Sequence, residues 1–344
     1  MKTRISIKRV VLICLGLFLF DQINAQHTTT FKFTETAPES VLRVMEKNAN
    51  VLFSEINRKY DLDSSILDIP SSVIDEFARK RIKNMWAVSH FYCTKTSVTT
   101  DVLKMVSSDS YQVRNIPVCY KRGESDEYRY QHIVLEFDKS GKITDLYRSL
   151  PEHDSKIVEG NIVTDFRHKE LINNFINSFF TAYNCKDTVL IEQMYSDDAL
   201  IITGKVVSSY KTGNNNEMSK RLTKDARIVY NVQNKKEYLA KLKGIFARNE
   251  YINIRFDGVE IMQSEANPSY YGVRLNQYWH VSRKANVKGY YDEGKLFLVI
   301  DFTDEDRPVI WLRTWQPFKD AEGKTIRYSE EDFFGLDDYP IEKR

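Results

Sequence analysis

Hydrophobic residues recur along this chain at two spacings, and the change from one to the other marks out its elements. Over 39–60, Val41, Leu42, Val44, Met45, Val51, Leu52 and Ile56 recur at the three- and four-residue intervals that share one face of an α-helix. One amphipathic helix, whole or interrupted, is predicted there. After the turn at Pro70, Ser71 or Ser72 can cap a second helix carrying Val73, Phe77 and Ile82 on to Met85 and Trp86. The segments 111–120, 128–137 and 143–150 then alternate or are β-rich, with turns at Arg122-Gly123-Glu124 and Ser140-Gly141. Helices followed by an antiparallel meander is the order this half predicts.

The stretch 151–161 has no periodicity, and a composition such as Pro151-Glu152-His153-Asp154-Ser155-Lys156 cannot form a core, so a domain boundary is expected here. A second cycle follows. Leu171, Ile172, Phe175, Ile176, Phe179, Phe180 and Tyr183 form an apolar stripe on a helix beginning near Asp165. A short helix over 188–195 leads through Ser196-Asp197-Asp198 into a strand at 199–203, and Gly213-Asn214-Asn215-Asn216 reads as a loop tip. A further helix over 235–247 carries Tyr238, Leu239, Leu242 and Ile245 on one side. The segments 251–262, 270–281, 290–302 and 308–316 are long, aromatic and β-branched, which predicts a second antiparallel meander. From Lys319 onward the apolar residues are few, Phe333, Phe334 and Leu336, so the tail is expected to dock weakly or stay loose.

The first residues change the expected setting. Lys2, Arg4, Lys8 and Arg9 precede the apolar run 10–20 and the polar exit Asp21-Gln22, the order of a secretory signal peptide cleaved between Ala25 and Gln26. A run this short falls below the roughly 20 residues that a spanning helix needs. Ile13, where a lipoprotein has a small residue before its cysteine, argues against lipidation at Cys14. The mature chain is thus expected to be exported, to the periplasm or beyond the cell, without a membrane span. The division this predicts is a signal peptide at 1–25, a flexible N-terminus at 26–37, an α+β domain at 38–150, a linker at 151–164, a second α+β domain at 165–318 and a tail at 319–344.

The formal charge is +2, and four basic residues leave with the signal, so the electrostatic footprint of a nucleic-acid binder is absent. Cys93, Cys119 and Cys185 remain after cleavage, an odd number without C-x-x-C spacing. Cys93 and Cys119 either pair in an oxidising compartment or stay as buried thiols. There is no H-E-x-x-H, no glycine-rich phosphate loop and no G-x-S-x-G elbow. His27, His90, His132, His153, His168 and His280 lack metal-site spacing and read as structural or surface residues. The acidic turn Asp301, Asp304, Glu305 and Asp306 lacks the Gly and terminal Glu of an EF-hand and reads as a solvated hairpin tip. No cofactor and no metal are expected.

The striped helix from Leu171 to Tyr183, the element Tyr195-Ser196-Asp197-Asp198-Ala199 and the closing meander to Trp315-Gln316-Pro317 together resemble the NTF2-like superfamily. This is the cone-shaped α+β fold, helices packed on a curved antiparallel sheet, shared with SnoaL-like proteins and ketosteroid isomerase. The resemblance covers roughly 165–319, rests on element order, and departs from the family in a long insertion over 204–234. The first half repeats the order of helices then strands, so tandem cones are expected. Cones of this family commonly pair through their sheets, which implies an internal pseudo-dimer.

Enzymes of this fold place a carboxylate base and a facing tyrosine or acid inside the cone, which makes Asp198, Asp301, Tyr278 and His280 the catalytic candidates. The competing roles are a turn or cap for Asp198 and a cross-strand ion pair for Asp301. Alternation sets Leu296, Leu298, Ile300 and Phe302 on one strand face and Phe297, Val299 and Asp301 on the other. It likewise groups Arg274, Asn276, Tyr278 and His280 apart from Val273, Leu275 and Trp279, but leaves open which faces line the cone. Val309, Trp311, Arg313 and Trp315 share a face, and Trp311, Arg313, Trp315 and Trp279 are the candidates for holding a ligand or partner. The alternative is arginine stacked on tryptophan as ordinary packing. The expected function is an exported, non-catalytic binding or assembly module of the bacterial cell envelope, taking a small lipophilic ligand or a protein partner. The rivals are a cofactor-free isomerase or hydratase with Asp198 or Asp301 as base, and a structural envelope component.

Overall fold

A computed structural model describes residues 27–34, 36–105, 108–122, 129–149, 166–206, 228–283 and 289–339. The segments expected to be a signal peptide at 1–25, a linker at 151–164 and a loop tip at 213–216 lie outside the described residues.

Helix α1 (Glu39–Asp61) forms in one piece and buries Met45, Ala49, Leu52, Phe53 and Ile56. Helix α2 (Glu76–Val88) starts later than Ser71 or Ser72 would place it, at Asp75, whose carboxylate accepts from the Ala78 N–H at 2.8 Å. Tertiary hydrogen bonds explain the delay. The Val73 carbonyl accepts from the Ile143 N–H, and the Asp75 N–H donates to the Ile143 carbonyl, holding 73–75 extended.

The described part of 26–37 is not the flexible lead expected, because 30–34 form a strand. Strand β1 (Thr30–Thr34) carries alternating Phe31 and Phe33 into the core, against Phe53 and Phe137. It pairs in parallel with a later strand at Ser97–Asp101. Numbered along the chain, β2 (Phe91–Cys93), β3 (Ser97–Asp101), β4 (Leu103–Lys104), β5 (Ser110–Tyr120), β6 (Tyr130–Asp138) and β7 (Ile143–Arg148) follow. The main sheet runs β2-β5-β6-β7, with β4 on β5. Cys119 sits opposite Tyr92, so Cys93 and Cys119 point to opposite faces, and both are free, buried thiols.

The second unit comprises α3 (Phe166–Asn184), α4 (Thr188–Gln193), β8 (Tyr195–Val206), β9 (Ile228–Asn234), α5 (Lys235–Arg248), β10 (Tyr251–Gln263), β11 (Tyr270–Ser282), β12 (Tyr290–Asp301) and β13 (Val309–Pro317). Its six strands run β10-β11-β12-β13-β8-β9, antiparallel except for β13 against β8. Register breaks at Asp257/Glu260, Val299/Ile300 and Ile310/Leu312 are bulges that bend the sheet. The inner face meets α3, α4 and α5 in one core that joins Phe175, Phe179 and Ile191 to Leu242, Ile254 and Leu298. Neither a strand face nor a helix stripe can hide its apolar side alone, and their union is what shapes the cone.

Helix α5 opens with a capping box: the Asn234 side chain accepts from the Glu237 N–H, and the Glu237 carboxylate accepts from the Asn234 N–H. Asn234→Ala is expected to cost about 1 kcal/mol of stability, measured by urea denaturation.

The tail is docked, not loose. Ile326, Phe334 and Tyr339 are buried in a second core layer on the sheet's outer face, with Ile202, Ile228, Tyr230, Phe297, Val299 and Leu312. Gln316 ties it down at both ends of its amide, donating to the Asp332 carbonyl at 2.9 Å and accepting from the Phe334 N–H at 3.1 Å.

The units meet through α3, which packs on β10 from the second unit and on β7 and α2 from the first. The face-to-face sheet pairing implied for an internal pseudo-dimer is therefore not the contact between them, since the tail occupies the outer face. Among the described residues no helix is long and apolar enough to cross a membrane.

Candidate functional site

The core settles which side chains enter the cone. Tyr271, Val273 and Leu275 on β11, and Leu296, Leu298 and Ile300 on β12, join the core that contains α3. By alternation Gln277 and Trp279 also face inward, opposite Gly294 and Asp292. On β13, Arg313 lies opposite Leu298 and Trp315 opposite Leu296, on the same face. Gly294 is required there, because a Cβ at that position would sit 2.8 Å from the Trp315 ring.

Arg313 is 5% exposed. Its Nη2 donates to Gln277 Oε1 at 3.5 Å, and its guanidinium carbon lies 5.1 Å from the centre of the Tyr238 ring. Nε and Nη1 are buried without a hydrogen-bond partner, and no ion pair forms with any described carboxylate. Beside it, Tyr183 Oη lies 2.9 Å from Tyr195 Oη and 2.8 Å from Tyr238 Oη. Burial raises the pKa of Tyr183 and Tyr195 well above the usual phenol value, so both stay protonated. Arginine does not lose its proton in proteins, so a cation stands beside the protonated Tyr183 and Tyr195 hydroxyls on the inner face. Trp315 Nε1 is a further buried donor without a partner. Trp279 packs edge-on against Tyr183 at 6.4 Å. Both tryptophans keep part of their surface exposed, where the inner face reaches solvent.

Asp292 stands on this face next to Trp279. It accepts from Tyr290 Oη at 2.7 Å and from the Glu293 N–H at 3.0 Å. Burial raises its pKa despite these hydrogen bonds.

The four catalytic candidates are not brought together. Asp301 lies on the outer face, accepting from Tyr270 Oη and the Thr303 N–H at 2.8 Å each, so its cross-strand partner is a hydroxyl and not a cation. Tyr278 is also outside, its ring under Arg255 at 4.4 Å and its pKa pushed up to about 12 by burial and by Asp257. His280 is buried on the same outer side, beside the Tyr251 and Tyr291 rings. Asp198 is exposed in the part of β8 that bulges between Tyr195 and Leu200.

The set Val309, Trp311, Arg313 and Trp315 is split. Ile310 faces Ile300 while Leu312 faces Val299, which makes Trp311 the additional residue of a bulge. Trp311 is thereby turned to the outer layer with Tyr270, whereas Arg313 and Trp315 stay inside, where Trp279 joins them. Sequence reasoning missed Tyr183, Tyr195, Tyr238, Gln277 and Asp292 as site residues. The available signal was that Tyr183 closes one apolar helix stripe and Tyr238 opens another, each with a hydroxyl that must find a buried partner.

No protein-family model matches the chain, and no curated protein matches it in sequence. Solved structures are similar to it in fold. A structure of Bdellovibrio bacteriovorus Bd1075 is 14% identical with a TM-score of 0.31, covering 44% of this chain, which spans 41% of that one. A putative dehydratase of the NTF2-like family from Streptomyces avermitilis is 13% identical with a TM-score of 0.30, covering 43% of this chain and 94% of that one. An NTF2-like superfamily protein from Salmonella enterica serovar Typhimurium is 10% identical with a TM-score of 0.31, covering 43% and 89%. Each of these likenesses covers less than half of this chain, the part of it that packs helices on a curved antiparallel sheet.

Proposed function

We propose that this protein is an exported, non-catalytic binding module of the cell envelope whose cone takes a small molecule with an anionic group. The anion sits on Arg313, and an aromatic or apolar body lies against Trp279 and Trp315. The observation that carries this reading is the buried guanidinium with two unpartnered nitrogens and no described carboxylate beside it. Taking a cation out of water costs several kcal/mol unless an opposite charge meets it. A ligand carboxylate or phosphate would supply that charge with charge-assisted hydrogen bonds, and Trp315 Nε1 offers another donor.

The test is native mass spectrometry and calorimetry on the mature chain and on Arg313→Met. A small anion is expected to copurify with the former and not the latter, with affinity for the isolated compound falling at least about 100-fold. Because the empty site holds an uncompensated charge, Arg313→Met is expected to be as stable as the native chain or more stable, by about 1–4 kcal/mol. Unchanged affinity in Arg313→Met would refute the proposal.

A second reading has one observation in its favour. Asp292, in place of Asp198 or Asp301, is the inward carboxylate with a raised pKa, as a general base of an isomerase would be. Asp292→Asn separates the two: a binder keeps its affinity within about twofold, whereas an isomerase loses turnover by orders of magnitude.

A further inference from the structure

A second buried arginine without an acidic partner lies where the two units meet. Arg148, at the end of β7, is 6% exposed. Its guanidinium is stacked between the rings of Tyr120, at 4.8 Å, and Phe180, at 4.9 Å. Nε donates to Gln131 Oε1 at 2.6 Å and Nη2 to Asn253 Oδ1 at 3.3 Å, both neutral acceptors. Among the described residues Nη1 makes no hydrogen bond and no carboxylate pairs with the side chain.

This arginine lines a cleft whose walls come from both units: Ser89, Tyr120, Arg122 and Arg148 from the first, Asn184, Cys185 and Asn253 from the second. Two other lining side chains are at least nine-tenths buried and hold orphan groups, Tyr120 Oη and Asn253 Nδ2. The Asn253 amide cannot be turned round to relieve its orphan, because Nδ2 would then face the Arg148 donor. The Cys185 thiol is pushed up to about 12 by burial and supplies neither charge nor nucleophile. Arg122 brings a second cation to the wall, paired on one side with Glu250 at 2.9 Å. The unpaired groups are thus donors, set around a cation, with no acid among the lining residues.

We propose that this cleft is a binding site for a small oxyanion, a carboxylate or phosphate group, held by Arg148, Asn253 Nδ2 and Tyr120 Oη. The site is separate from the cone, and it requires both units, so an occupant would tie them together.

The experiment uses sodium formate as probe, with sodium chloride at equal ionic strength as control, on the mature chain and on Arg313→Met, which lacks the cone cation. Calorimetric titration and thermal unfolding are read in parallel. Saturable binding of formate in both proteins, absent with chloride, is the expected result. Tyr120→Phe removes the orphan hydroxyl while keeping the ring on Arg148, and is expected to weaken binding about tenfold with little change in the unfolding temperature. Formate binding lost in Arg313→Met would assign the signal to the cone and overturn the proposal. So would an unchanged affinity in Tyr120→Phe, or no saturable signal in any protein, the result for a cleft that holds water only. Crystals soaked in sodium formate give an independent readout: planar density beside Arg148 that sodium chloride soaks lack supports the site, and its absence at full soak counts against it.

Discussion

Replacing Arg81 by methionine is expected to cost about 3–5 kcal/mol at pH 8, the loss typical of breaking a buried ion pair from one side. Arg81 Nη1 lies 2.9 Å from Asp145 Oδ2 and 3.5 Å from Ser178 Oγ, so the pair stands where α2, β7 and α3 converge. The Asp145 carboxyl is raised from its ordinary 3.8 to about 6, burial outweighing the attraction of Arg81. A carboxyl whose pKa is raised by folding costs nothing while protonated. Its ionisation withdraws stability as the pH climbs from about 4 to about 6, by up to roughly 3 kcal/mol, and the loss is constant above that. Without Arg81 the window extends to higher pH, so the substitution should hurt less at pH 4 than at pH 8. Denaturant titrations at the two values check this, and Asp145→Asn in the Arg81→Met background should recover most of the loss at pH 8. Equal destabilisation at both pH values would show that packing, not charge, holds this junction.

Phe334→Ala is expected to destabilise the protein by about 3–5 kcal/mol, the range for deleting a buried aromatic ring. Phe334 is 5% exposed, edge-on to Tyr230 at 5.3 Å and near Tyr339, in the layer that covers the sheet's outer face. The contrast with the sequence reading is sharp, because a weakly docked tail would lose almost nothing. Removing everything after Phe318 should also bare Phe297, Val299 and Leu312, and drive the chain into oligomers visible by light scattering. A truncated chain that stays monomeric and equally stable would show the outer layer to be dispensable.

Much of the architecture is legible because period carries it. The α1, α3 and α5 stripes and the four long aromatic runs each demand one element and one buried face. The features that escaped are those where long-range contacts override local pattern. Phe31 and Phe33 alternate as a strand should, but their partner at Ser97–Asp101 is far along the chain. Asn173, Asn177, Thr181 and Asn184 make the polar side of α3 look like a solvent face, yet all four are buried. In the site, strict alternation misplaces Trp311, since a bulge adds a residue that no spacing rule reveals. The candidate acids failed for a related reason: alternation alone does not say which face is inside, and only the packing of α3 decides it.

That helix has a final consequence. On one side Phe175, Phe179 and Tyr183 complete the cone; on the other Asn174 accepts from Gln112 and Tyr147, and Thr181 Oγ1 accepts from the Arg148 N–H. A rod claimed by two interiors cannot let go of one without exposing a seam in the other, so the halves share a single fate on heating, and no cut between them yields an autonomous piece.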